Sequence, residues 1–149
     1  MKTLLGIYIV LCVSACTMCS YSNNTPSFAV YMSHLERYAD KLRVSIDHKN
    51  PELSEYYLQE LYETTMDLVS SYPYYKGHQI DKLATSALFP VLDEIKSELR
   101  AEPVDFKLAS NRFKELIAAC NSCHISTNYG FIKIAEKPGA HQYLQLFRR

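Results

Sequence analysis

Apolar side chains recur at spacings of three and four through Phe28, Tyr31, Met32, Leu35, Tyr38, Ala39, Leu42 and Ile46, which predicts a helix with one buried stripe. Thr25-Pro26 reads as its start, with threonine as N-cap and proline, which has no N–H to lose, in the first turn. Asn50-Pro51 repeats that signal. Behind it, Leu53, Tyr57, Leu61, Thr64 and Leu68 mark one side of a second helix, and Leu58, Tyr62, Thr65 and Val69 mark another, so burial on two faces is expected.

Pro73 and Gly77 place a loop over Ser71 to His78, after which Leu83, Ala84, Ala87, Leu88, Val91, Leu92, Ile95 and Leu99 restore the helical period. Pro90 falls inside this third helix. Its missing N–H and its ring predict a kink or break near Phe89. Glu102-Pro103 interrupts the chain again, Asp105 is a plausible cap, and Phe106, Ala109, Phe113, Leu116, Ile117, Cys120 and His124 define a fourth helix that Asn128 and Gly130 close. No strand pattern or internal repeat competes. Four helices of about 30 Å joined by short loops are most economically packed as an all-α, antiparallel four-helix bundle spanning residues 26–149.

The candidate chemistry lies at the end of the fourth helix. Cys120-Asn121-Ser122-Cys123-His124 is C-x-x-C-H, the attachment signature of a c-type haem: each thiol forms a thioether to a haem vinyl group, and the adjacent histidine is the proximal iron ligand. Cys120 and His124 are one helical turn apart with Cys123 beside them, so all three share the face of Phe113, Leu116 and Ile117. One haem c is therefore the expected cofactor.

Such attachment takes place outside the cytoplasm, and the chain begins accordingly. Lys2 and the apolar run Leu4 to Val13 read as a signal peptide over residues 1–15, too short to span a bilayer. Val13-Ser14-Ala15-Cys16 resembles the bacterial lipobox, which makes Cys16 the lipidated first mature residue and a membrane anchor; a plain secretory cut after Ala15 fits the same residues. By the same resemblance, Thr17 behind the anchor favours the periplasmic side of the outer membrane. Residues 16–25 are small and polar, as a flexible tether would be.

Of the five cysteines, Cys12 leaves with the signal, Cys16 takes the lipid, Cys120 and Cys123 take the haem, and Cys19 has no assigned role. A disulfide framework is poorly supported. The 16 basic and 16 acidic residues balance, and loss of Lys2 leaves the mature chain at −1, so nucleic acid is not an expected partner. There is no G-x-S-x-G, H-E-x-x-H or glycine-rich phosphate loop, and no enzyme constellation is read.

These residues resemble bacterial monohaem cytochromes of the c-prime type, four-helix bundles with C-x-x-C-H near the end of the last helix. A group of small exported cytochromes is closer, with a motif region like Cys120-Asn121-Ser122-Cys123-His124-Ile125-Ser126-Thr127 followed by Phe131-Ile132, and likeness at Met32, Lys41-Leu42 and Glu60-Leu61-Tyr62-Glu63. The resemblance implies a distal haem residue on the first helix, methionine in low-spin members and an apolar non-ligand in high-spin ones. Met32 stands in that place. It is either that ligand or a core methionine filling a gap; His34 is its rival, on the solvated flank. The resemblance also implies possible homodimers.

Lys133, Arg112 and Arg148-Arg149 are candidate partners for haem propionates, and His48, His78 and His141 lie in or near loops. Tyr72, Tyr74 and Tyr75 form either a docking patch for redox proteins or aromatic cover for one end of the bundle. Electron transfer is the expected function. If Met32 does not coordinate, a five-coordinate haem binding nitric oxide or carbon monoxide is the alternative; a zinc or dithiol site at Cys120, Cys123 and His124 is a lesser one.

Overall fold

A computed structural model describes residues 25–135. The predicted leader, the tether up to Asn24 with Cys16 and Cys19, and the tail from Glu136 onward lie outside the described residues. Helix α1 (Phe28–Asp47) begins at Ser27 and not at Thr25. Ser27 is extended, and its hydroxyl accepts a hydrogen bond from the Val30 N–H at 3.4 Å. Thr25-Pro26 is the approach to the helix, and the Tyr72 hydroxyl donates to the Pro26 carbonyl at 3.0 Å.

Helix α2 (Pro51–Ser71) starts as the sequence predicts, with Asn50 Oδ1 accepting from the Leu53 N–H at 3.0 Å. Its buried positions are Ser54, Leu58, Leu61, Thr65 and Leu68, which make one broad face, while Leu53 remains 39% exposed. Each of the two expected sides is thus mixed: Leu61 and Leu68 on the first and Leu58 and Thr65 on the second are buried, while Tyr57 and Thr64 on the first and Tyr62 and Val69 on the second are half-buried. The buried hydroxyls bond back into their own helices: Ser45 to Leu42 O at 2.7 Å, Ser54 to Asn50 O at 2.7 Å and Thr65 to Leu61 O at 2.8 Å. Burial therefore leaves none of these hydroxyls unpaired.

The loop predicted after α2 holds a small hairpin, β1 (Tyr74–Tyr75) against β2 (His78–Gln79), with Tyr74 opposite Gln79 and Tyr75 opposite His78. Lys76 and Gly77 turn it, with φ of 46° and 91°. Both values are positive, as a two-residue type I′ turn requires.

Pro90 does not break the third helix. The chain runs through α3 (Ile80–Leu83), a π turn (Ala84–Leu88) and α4 (Phe89–Leu99), and the Phe89 N–H reaches back to Ala84 O. Proline at the start of α4 cannot donate to the preceding turn, and the wider π turn absorbs the mismatch ahead of it. Helix α5 (Phe106–Ser126) is capped by Asp105, whose Oδ1 accepts from Lys107 and Leu108 N–H at 2.9 and 3.0 Å. Asn128, at φ 67°, turns the chain away from its end.

Helix α1 packs on α2, α2 on α4, α4 on α5, and α5 on α1. Leu42, Leu92, Ile95 and Leu116 are wholly buried where these elements meet. Full burial of each such side chain contributes about 1.5–3 kcal/mol. A second cluster of Tyr31, Leu68 and Ile80, flanked by Phe28, Met32, Tyr72 and Tyr75, joins α1 and α2 to the hairpin and α3. The described residues are thus all-α apart from the hairpin, and none of their helices is long and apolar enough to cross a membrane.

Candidate functional site

Between the two clusters lies a cavity of about 550 Å³ with a mainly apolar wall, within the roughly 300–1,000 Å³ typical of sites for organic ligands and cofactors. The wall draws on α1, α2, the hairpin, the π turn, α5 and the segment after α5. Met32, Cys120, Cys123 and His124 all line it. Residues far apart in the chain that the sequence singled out for one chemistry therefore share one chamber.

The three motif residues reach the chamber because helical spacing puts them on one face of α5, each half-buried. Burial, with Cys123 alongside, pushes the Cys120 thiol up to about 12, and burial raises Cys123 as well. Both are neutral thiols in ordinary buffer. A dithiol redox centre needs the opposite shift, toward the thiolate. Among the described residues, no three His, Cys, Asp or Glu side chains converge as a metal-ion cluster.

His124 is oriented from behind. Its Nδ1 lies 3.0 Å from the Ile132 carbonyl oxygen, and since a carbonyl can only accept, Nδ1 carries the proton. Nε2 is thereby left as the nitrogen with a free lone pair, the form in which a histidine binds iron. The segment that supplies Ile132 is itself strapped to α5. Tyr129 N–H donates to His124 O at 2.7 Å, Ile132 N–H to Tyr129 O at 2.8 Å, and Asn121 exchanges two bonds with Ile134 at 2.8 and 3.0 Å. Thr127 Oγ1 donates to Cys123 O at 2.9 Å. Asn121, Thr127 and Ile132 thus have structural work to do around the histidine.

The other candidates separate. His34 is exposed beside Tyr38, His48 is exposed past the end of α1, and neither lines the chamber, whereas half-buried His78 does. Arg112 pairs with Glu94 at 3.2 Å and Glu115 at 2.9 Å, and Lys133 is exposed away from the wall. Cys16, His141 and Arg148-Arg149 lie outside the described residues. Tyr72 and Tyr75 cover the end of the fold, Tyr75 stacking on Phe28 with ring centres 4.0 Å apart; Tyr74 alone is largely exposed, at 62%.

Lys76 and Tyr129 also line the chamber, and the sequence reading passed over both. Lys76 Nζ donates to Tyr129 Oη at 2.9 Å. Its only signal in the sequence is a lysine before the glycine of a short turn. No protein-family model, curated protein or solved structure matches the chain.

Proposed function

We propose that this chain is an exported c-type cytochrome that carries one covalent haem and transfers electrons, with its helices forming an antiparallel four-helix bundle of the c-prime type. The observation that carries the reading is the convergence of Cys120, Cys123, His124 and Met32 on one mainly apolar chamber, with His124 held in the tautomer that leaves Nε2 free. Haem c, when bound, supplies a one-electron couple at iron. Cys120 and Cys123 would hold it by thioethers and His124 would ligate it. Ile132 O fixes the imidazole, and the apolar wall excludes water, which keeps the local dielectric low and the reorganisation small.

Met32 on α1 is the candidate second axial ligand. A six-coordinate iron would have no open position, which suits electron transfer and suppresses ligand binding. The apolar wall around Met32, including Leu35, Leu61 and Leu68, supports a second reading in which methionine does not coordinate and the chamber binds nitric oxide or carbon monoxide. No catalytic role is proposed. The raised thiols count against the dithiol alternative, and two cysteines with an immediately adjacent histidine on one helix are an awkward set for tetrahedral zinc.

The resemblance of the leader to a lipobox supports anchoring through Cys16 to the periplasmic face of the outer membrane, where redox proteins would be the partners. Homodimers remain part of the proposal through the c-prime resemblance alone. The test is an absorption spectrum of the exported protein, oxidised and reduced, with and without carbon monoxide. Low-spin ferric bands with a methionine-to-iron charge-transfer absorption, lost in Met32→Ala, support transfer. A high-spin ferric spectrum and ready carbon monoxide binding select the gas-binding reading.

A further inference from the structure

Among the described residues, Lys76 is the one lysine or arginine on the chamber wall. It sits where a type I′ turn favours Asn, Asp or Gly, because its φ of 46° is a conformation that residues with a Cβ adopt at a cost. Nothing in the turn itself requires lysine. What lysine adds is reach and charge: its Nζ donates to Tyr129 Oη at 2.9 Å and stands 5.4 Å and 5.6 Å from the ring centres of Tyr75 and Tyr129. It makes no ion pair among the described residues. A non-glycine residue in a disfavoured conformation at a site is a reason to look for a function.

We propose that Lys76, braced by Tyr129, is the cation that receives a carboxylate of the chamber's ligand, which on the haem reading above is a propionate. The inference rests on that reading. A haem has two carboxylates and an otherwise apolar body, so its acid groups belong at the edge of a mainly apolar chamber, beside a cation or hydrogen-bond donors. Lys76 is exposed, so its ammonium stands at such an edge. Tyr129 Oη, already accepting from Lys76, has its own hydrogen to donate, and His78 lies on the far side of the same turn. Glu36 on α1 also lines the wall and would repel an acid group, which favours the Lys76 end. Tyr129 belongs to the segment strapped behind His124, so this clamp joins the hairpin to the proximal side of the site.

The test uses the full chain matured in a bacterium with haem-attachment machinery, as wild type, Lys76→Met and Lys76→Arg. Methionine keeps the apolar cover over Tyr75 and Tyr129 but removes the charge. A cation beside a propionate disfavours the ferric state, so its loss should lower the midpoint potential. A threefold change in the reduction equilibrium is expected, about 28 mV at 59 mV per tenfold for one electron, with arginine near wild type. Equal potentials in coloured wild type and Lys76→Met overturn the clamp and leave the haem reading standing; a colourless wild type without a haem mass overturns both. Should the variants fail to mature, a crystal structure of the wild-type holoprotein decides. Lys76 Nζ within hydrogen-bond distance of a propionate oxygen supports the clamp, and both propionates on the opposite edge of the chamber refute it.

Discussion

Asn121→Ala removes the two side-chain bonds that strap the segment after α5 onto the C-x-x-C-H motif, leaving the backbone bond from Tyr129 N–H to His124 O. Asn121 Nδ2 donates to Ile134 O at 3.0 Å, and Ile134 N–H donates to Asn121 Oδ1 at 2.8 Å. Each bond of this kind contributes about 0.5–1.5 kcal/mol net. Ile134 is half-buried, so water can partly satisfy its backbone once the amide is gone, and a total near 2 kcal/mol is expected. Ile134 packs on the outside of the Leu42–Leu92–Leu116 core without belonging to its buried members, so the loss is concentrated at the strap. Amide hydrogen exchange reads it directly: 2 kcal/mol corresponds to roughly thirtyfold faster exchange at Ile134, with the amides around Leu92 and Leu116 unchanged. Because Ile132 O orients His124, the holoprotein's near-ultraviolet and Soret bands should shift as well. Asn121→Asp keeps an acceptor for the Ile134 N–H and should lose less. Unchanged exchange at Ile134 in Asn121→Ala would refute the strap.

Leu116→Ala, at a wholly buried position in the core, should cost about 2–5 kcal/mol in denaturant unfolding; a loss under about 1 kcal/mol would mean the core is elsewhere. Ser27→Ala should cost about 1 kcal/mol and Thr25→Ala almost nothing, an order that the reverse assignment of the cap would invert. In the haem-free chain, the Cys120 thiol is raised from its ordinary value of 9.0 to about 12, so the unfolded state loses its proton first as pH rises. That contribution to stability is complete below pH 9 and lost progressively toward pH 12. A thioether has no proton to lose, so the holoprotein should lack this decline, and identical alkaline profiles for both forms would contradict attachment at Cys120.

Much of the helical plan was legible because its signals are local. Asn50-Pro51 and Asp105 cap helices where expected since the side-chain oxygen and the N–H it accepts lie within three residues. The first cap was misplaced because Thr25 and Ser27 are equally able caps two residues apart, and only the structure shows that Ser27 takes the role. Pro90 announced an irregularity but not its form; the π turn that accommodates it also places Ala84, Ala87 and Leu88 on the chamber wall. The hairpin escaped notice because strands of two residues have no periodicity to read. Within the site, the motif residues were legible from spacing alone. Lys76, Tyr129 and the carbonyl of Ile132 were not, because their roles depend on how two loops fold against α5.

Purified protein, exported and matured by a bacterium able to attach haem, offers the most direct measurement: its intact mass together with its reduced absorption spectrum. The expected result is a processed chain heavier by one haem, with the α and β bands of a c-type cytochrome, both abolished in Cys120→Ala/Cys123→Ala. A colourless protein whose mass is that of its processed chain alone would contradict the proposed function.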